Sequence, residues 1–463
     1  MQNEQDILKK LPGFVLEVNH SFLKSGFQLF LVGGSVRDLL LGKSVKDWDF
    51  TTNAKPEDIL KIYTDAFYDN SFGTVGIPFK NAKGETESVV EVTTFRTERE
   101  YSDNRHPASV EWGKSIEEDL QRRDFTINSI ALRLPMSGQS KFEIIDPYNG
   151  QEDMKRKLIR AVGDPAMRFK EDALRLMRAI RLATQLGFSI EESTLKEIQN
   201  DSSLLNNISK ERVRDELLKI LGSDFPYDGV MLLKNTNLLE HVLPELLEGI
   251  GISQERPGRH HTTDVFTHNV MSLKLTPATD PIVRFATLIH DVGKPRVAAS
   301  DNEGYVIFHN HEIVGARMAY EISDRLRLSK KDRNRVALLV RWHMFTVDEN
   351  TTDASIRRFI RRIGVENIQD MIDLRIGDRL GSGTATAESW RLKLFKKRIE
   401  EQLAPAPFSI NDLEIDGNDI MKALDMKPSK QVGQILEKLF LEVDEDLSKN
   451  TREYLLSRIK EIT

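Results

Sequence analysis

Apolar and polar residues follow two rhythms along this chain. Residues 27–32, FQLFLV, form an apolar run ended by Gly33 and Gly34, which predicts a buried strand stopped by a turn. SVRDLLLG then predicts a short helix closed by Gly42. Residues 48–52 and the Val/Thr-rich stretch 88–95 predict two more strands. Residues 99–118 are polar and irregular, with a helical restart near Ser115. From about residue 151 the period becomes helical: Ala173, Leu176, Met177 and Ile180 recur at three- and four-residue spacing, and 194–208 and 210–221 continue it. Gly381-Ser382-Gly383 and Pro405-Ala406-Pro407 interrupt the later pattern, and 408–463 reads as short helices. The expectation is an α+β chain: a small mixed-sheet head over 1–150, then an all-helical neck (151–254), a further helical domain (255–383) and a helical tail (384–463).

The chain has 463 residues, too many for one compact core and enough for about three or four domains. Hydrophobic content of 39% and charged content of 30% fit a globular protein. The first twenty residues lack the apolar core of a signal peptide. No apolar run approaches the ~18 residues a membrane span needs. The absence of cysteine excludes disulfides and cysteine-ligated zinc. These features together predict a cytoplasmic protein with no membrane partner. A net charge of −6 argues against a chain coated in nucleic acid. Locally the balance reverses: residues 155–181 carry nine Lys/Arg against Asp164, Glu171 and Asp172. Such a basic surface suits a phosphate-bearing ligand, a solvated helix face being the plainer alternative.

Chemistry concentrates first around the Gly-Gly turn. Glycines between a strand and a helix let backbone N–H groups approach phosphates, and Arg37 adds a positive charge nearby. Asp47-Trp48-Asp49 falls on the next expected strand. Alternation there sends both carboxylates to one face and Trp48 to the other. Paired carboxylates are costly unless a cation neutralises them. Hard oxygen ligands suit Mg²⁺, and in-line phosphoryl transfer uses such a pair.

LVGGSVRDLLLG followed by DWDF resembles the nucleotidyltransferase head of class II tRNA nucleotidyltransferases, the CCA-adding enzyme family of the DNA polymerase β superfamily. The likeness continues in order through DLQRRDFTINSIAL (119–132), residues 146–188 and ISKERVRDEL (208–217). It covers roughly the first 220 residues. It implies metal on Asp47 and Asp49, triphosphate on Gly34 and Arg37, and nucleotide on Arg123. It implies CTP and ATP as substrates and the tRNA 3′ end as partner, with no nucleic-acid template. Glu91, in VVEVTTF, is the candidate for a third catalytic carboxylate, an ordinary edge-strand acid being the alternative.

Glu171-Asp172-Ala173-Leu174-Arg175 reads as one helix, with Asp172 and Arg175 as i,i+3 neighbours. A surface salt bridge is the plain reading. The other reading uses base chemistry. Cytosine and adenine each present an amino donor beside a ring-nitrogen acceptor, which an Asp acceptor and an Arg donor match. Guanine and uracil reverse the pattern. The resemblance assigns the pair this role and sets Arg178 and Arg181 near the triphosphate. It also associates residues 95–118, with Tyr101, Asp103, Arg105 and His106-Pro107 as landmarks, with the switch from C to A addition. An inert polar loop is the alternative.

Histidine is concentrated over 241–343, and His290-Asp291-Val-Gly-Lys-Pro ends the apolar run ATLI. This resembles the HD phosphohydrolase superfamily. The resemblance implies metal ligands at His268, His290 and Asp291, a distant ligand at Asp378, and His311 and His343 as further histidines of two-metal members. Imidazole and carboxylate ligands suit Mn, Ni, Fe or Zn, so a second divalent metal and a phosphohydrolase activity are expected beside a purely tRNA-holding role. The leading expectation is a CCA-adding enzyme that adds at least the terminal A. Four alternatives remain: an A-adding enzyme acting on tRNA ending in CC, a poly(A) polymerase, an HD phosphohydrolase with a nucleotide-sensing head, and a noncatalytic tRNA-binding protein.

Overall fold

The computed structural model of the chain describes residues 4–68, 73–80, 83–101, 107–135, 141–255, 263–345, 348, 351–403 and 409–462. The chain divides into two compact units, Met1–Leu247 with Arg325–Leu328, and Glu248–Asp324 with Ser329–Thr463.

The first unit opens with nine strands: β1 (Leu29–Val32), β2 (Trp48–Thr52), β3 (Phe67–Tyr68), β4 (Thr74–Lys80), β5 (Thr86–Thr94), β6 (Arg96–Tyr101), β7 (Pro107–Trp112), β8 (Ala131–Arg133) and β9 (Glu143–Ile145). Seven form one mixed sheet in the order β3-β4-β5-β2-β1-β8-β9. Only β2 and β5 run parallel in it. All four residues of β1 are buried, as a central strand covered on both faces requires. The helix Gly13–Lys24 buries Val15, Val18 and Phe22, while Phe30 packs with Phe95, Ile116 and Leu120. Residues 96–112 differ from the irregular segment expected: β6 and β7 pair as an antiparallel hairpin. The sequence of β6, RTEREY, is polar nearly throughout, so no apolar period marks the hairpin. Asp103, Arg105 and His106 lie outside the described residues, as does the 405–407 boundary.

The chain then turns helical. The helix Leu174–Leu186 buries Leu176, Met177, Ala179, Ile180 and Ala183, an apolar stripe at helical spacing, and ends on Gly187 in the left-handed conformation. A two-residue parallel pair, Leu158–Ile159 with Ser189–Ile190, interrupts the otherwise helical neck. In the second unit, helices Val265–Leu275, Pro281–Leu288, His311–Arg325, Lys330–Trp342 and Ile368–Gly381 surround the histidines, with a small antiparallel pair at Ala299–Ser300 and Val306–Ile307. Gly377 and Gly381 let Ile368–Gly381 come against Val265–Leu275. A Cβ on Gly377 would stand 2.7 Å from the carbonyl of Ser272, and one on Gly381 would overlap Ser272. That close approach brings Asp378 to His268. The last helices bury Ile420, Leu439, Val443, Leu455 and Ile459 in a core of their own. Among the described residues no helix is long and apolar enough to cross a membrane.

Candidate active site and metal centres

In the first unit, Gly33 links β1 to the helix Gly34–Leu41 with φ +72°. Glycine adopts that backbone without strain. A Cβ there would also stand 3.0 Å from the Arg123 guanidinium and 3.7 Å from the Asp49 carboxylate, so the turn is closed to side chains on two grounds. Asp49 lies on β2 and is the register partner of Glu91 on the parallel neighbour β5. Parallel partners share a sheet face, which sets the two carboxylates side by side. Trp48 turns away and is buried, meeting Phe14 edge-on at 6.4 Å. Asp47 is exposed and just precedes the strand. Burial pushes the Asp49 carboxyl up; Arg123 opposes this and Asp47 adds to it. A cation between these oxygens would relieve that strain, so the donor set fits a hard divalent ion.

A cleft of 480 Å³ joins these groups to the neck. Gly33, Gly34, Asp49, Glu91, Arg123, Asp172, Arg175 and Arg178 all line it, together with Thr74, Thr93, Arg96, Arg122, Asp124 and Asn128. Arg37 donates to Asn128 Oδ1 at 2.8 Å and pairs with Asp38. Arg123 is held by Asp119 at 3.1 Å, and Asp119 also binds Arg122 at 2.6 Å. Burial would raise the Asp119 carboxyl, but Arg122 and Arg123 outweigh it and hold it at about 2. Asp124 is likewise buried and held low, burial being overcome by Arg178, Arg175 and Asn128. Arg178 pairs with Asp124 at 2.5 Å. Arg181 pairs instead with Glu216 at 2.9 Å and is absent from the cleft wall.

Asp172 departs from the single helix expected over 171–175. One helix ends at Glu171 and the next begins at Leu174, with Asp172 extended between them (φ −143°, ψ 103°). Its carboxylate accepts from the Leu174 N–H at 3.0 Å, which serves the first turn of the second helix. Its other oxygen takes Arg212 at 2.7 Å. Arg175 binds Glu171 at 2.5 Å and the carbonyls of Arg168 and Arg122. Asp172 and Arg175 therefore face one cleft with separate anchors, and the i,i+3 salt bridge is not formed. Arg212 lies inside ISKERVRDEL, as Asp119 and Asp124 lie inside DLQRRDF, but it stands 40 residues from Asp172, so spacing alone could not pair the two.

In the second unit, His268, His290, Asp291, His311, His343 and Asp378 converge, all buried. Asp291 Oδ2 lies 3.3 Å from both His268 and His290, and its Oδ1 lies 3.3 Å from His311 and 3.5 Å from His343. Asp378 lies 3.3 Å from His268. His290, His311 and His343 each direct Nδ1 to a backbone carbonyl at 2.7–2.8 Å, which aims Nε2 inward as ligating imidazoles require. Asp291 Oδ1, His311 Nε2 and His343 Nε2 are buried without a hydrogen-bond partner. Two groups, His268–His290–Asp378 and His290–Asp291–His343, have ligand atoms close enough to hold an ion. Lys294, which sequence reasoning passed over, pairs with Asp291 at 2.5 Å and donates to Gln254. Burial would lower the His290 imidazole, but Asp291 and Asp378 push it up to about 10. The mixed nitrogen and oxygen donors of this cluster fit a transition divalent ion.

Residues 29–160 match the Poly A polymerase head domain, 187–249 a probable RNA and SrmB-binding site of polymerase A, and 266–375 the HD domain. An A-adding tRNA nucleotidyltransferase of Deinococcus radiodurans is 35% identical over 88% of this chain and 90% of its own length. A CCA-adding enzyme of Pediococcus pentosaceus is 31% identical over 95% of each chain. The crystal structure of a Bacillus stearothermophilus CCA-adding enzyme in complex with CTP superposes with a TM-score of 0.67 at 25% identity, covering 97% of this chain and 96% of that one. With relatives this similar along nearly the whole sequence, the chain belongs to the family of tRNA nucleotidyltransferases that the CCA-adding and A-adding enzymes form.

Proposed function

We propose that the head cleft transfers nucleotides from CTP and ATP to the tRNA 3′ end, completing CCA and adding at least its terminal A: the 3′ hydroxyl attacks the α-phosphorus, the α–β anhydride bond breaks, and pyrophosphate leaves. The observation that carries this reading is the joint wall of the cleft: the Gly33–Gly34 turn, the Asp49–Glu91 ladder pair, and Asp172 with Arg175 face one space. Asp47 and Asp49 would hold Mg²⁺, which supplies charge neutralisation for the triphosphate and the attacking 3′ hydroxyl. Glu91 stands beside Asp49 as the third catalytic carboxylate. Backbone N–H groups at Gly34, with Arg37, Arg123 and Arg178, orient the phosphates, and Arg181 acts from behind through the Glu216 pair. Asp172 accepts the amino group of C or A, and Arg175 donates to the ring nitrogen; GTP and UTP meet acceptor on acceptor and donor on donor. The segment 95–118 adjusts the cleft when the larger adenine follows cytosine.

The division into head (1–150), neck (151–254), HD domain (255–383) and tail (384–463) belongs to the same proposal, with the basic stretch 155–181 as part of the tRNA surface. So does a cytoplasmic location. In the second unit we read His268, His290, Asp291, His311, His343 and Asp378 as a centre for a transition divalent ion that supports phosphohydrolase chemistry. Incubating the protein with tRNAs lacking CCA, CA or A, with CTP and ATP supplied separately and together, tests the leading reading. Elongation of all three acceptors to CCA is the expected result. Elongation of the CC-ended tRNA alone would make the chain an A-adding enzyme, and no elongation would overturn the proposal.

A further inference from the structure

The second unit contains a pocket of 340 Å³ whose wall includes Phe345, Arg375, Arg379, Trp390, Arg391 and Phe395, with no carboxylate among its lining residues. Its size falls in the range of small-molecule sites, roughly 300–1,000 Å³. Arg375, Asp378 and Arg379 stand three and four positions apart on the helix Ile368–Gly381 and so share one face. Arg375 binds Asp378 Oδ2 at 2.5 Å, and Asp378 Oδ1 lies 3.3 Å from His268. One side chain thus separates the pocket from the histidine cluster. On the other wall Trp390 opens the helix Trp390–Leu403 and is 55% exposed. Arg391 lies 5.4 Å over its ring and has no carboxylate partner among the described residues. Phe345 and Phe395 stack behind them at 4.8 Å.

An apolar ligand would gain nothing from the guanidinium groups of Arg379 and Arg391, which have no carboxylate partner among the described residues, and a bare anion would make no use of the exposed Trp390 indole. A ligand with a flat aromatic part and a phosphate uses both, by base stacking and by guanidinium–phosphate bonds. We propose that this pocket binds a nucleoside phosphate, its base on Trp390 and its phosphate at Arg379 and Arg391. The pocket deepens the phosphohydrolase reading of the second unit by naming what is delivered to it, and its use as a substrate site rests on that reading. Its binding does not.

Photolabelling of the full chain with 8-azidoadenosine 5′-monophosphate, followed by peptide mapping, tests the proposal. The expected result is label on the peptide containing Trp390, diminished by excess inorganic phosphate. Trp390→Ala and Arg391→Ala should each lower that label about tenfold, in line with the loss of one stacking or charged contact, while Trp390→Phe retains it. Both residues are exposed, and thermal melting alongside the parent verifies that the variants fold. Label confined to peptides of the head cleft, or label near Trp390 that both alanine variants leave unchanged, overturns the proposal. Labelling needs neither metal nor turnover. Its failure therefore leaves the phosphohydrolase reading standing, and absence of turnover leaves the pocket standing.

Discussion

The head cleft and the histidine cluster both gather carboxylates, but with opposite surroundings. Asp49 stands half-buried on a strand, its ladder partner Glu91 and its neighbour Asp47 are exposed, and the cleft around them opens to a wall of arginines. Asp291 is almost fully buried among four imidazoles and Lys294. Burial raises the Asp49 carboxyl despite Arg123; burial also works to raise the Asp291 carboxyl, yet Lys294 and His290 hold it well below the usual range. Oxygen donors alone suit a hard ion that also binds substrate phosphates, whereas nitrogen with oxygen suits a transition ion. Each unit therefore offers a cation a different donor set and a different degree of access.

The sharpest break in this comparison comes from the second unit. His290→Ala with Asp291→Ala should abolish the divalent-ion binding proposed for this unit, read as metal content after dialysis against the parent, and leave nucleotide addition to tRNA near that of the parent. Addition lost together with the metal, in a variant that still melts cooperatively, would make the two sites one functional system.

The cleft itself depends on a buried charge cluster. Asp119→Ala strips Arg122 and Arg123 of their shared carboxylate and should destabilise the first unit by about 3 kcal/mol, the scale for breaking a buried ion pair. Because the Asp119 pKa is depressed, from 3.8 to about 2, its stabilisation is present above pH ~4 and fades as pH falls through about 2. Urea titrations at pH 7 and pH 2 should therefore show a large difference between parent and variant at pH 7 and a reduced one at pH 2. An equal difference at both would assign the cost to packing.

A smaller effect distinguishes selection from catalysis. Asp172→Ala or Arg175→Ala should cost about 1–3 kcal/mol of discrimination, read as the ratio of kcat/KM for ATP over UTP on a CC-ended tRNA. An unchanged ratio would remove the base-reading role. Arg212→Ala, which frees Asp172 from its 2.7 Å anchor, should lower the same ratio by less.

Much of this was legible in the sequence, for reasons local to each segment. Residues 48–52 read as a strand because Trp48 and Phe50 alternate with Asp49. Residues 88–95 read so because they are rich in Val and Thr, and the strand there runs Thr86–Thr94. Their register, which sets Glu91 beside Asp49, depends on strand order and could not be read. The break at Asp172 was hidden because Phe169, Ala173, Leu176 and Met177 keep helical spacing across it, with no Gly or Pro to mark the stop. The histidine positions carried their own signal, since five clustered histidines with an adjacent Asp are poorly explained as separate structural residues. The Gly377–Gly381 approach that brings Asp378 to them arises only from packing.

The central claim is that the carboxylates of the head, and not those of the second unit, conduct nucleotide addition. Its most direct test is single-turnover incorporation of AMP into CC-ended tRNA by Asp47→Ala and by Asp49→Ala, each confirmed to bind tRNA as the parent does. A rate lowered by at least about a thousandfold, on the order of 4 kcal/mol of transition-state stabilisation, is expected in both variants. Incorporation within a few-fold of the parent in either would contradict it.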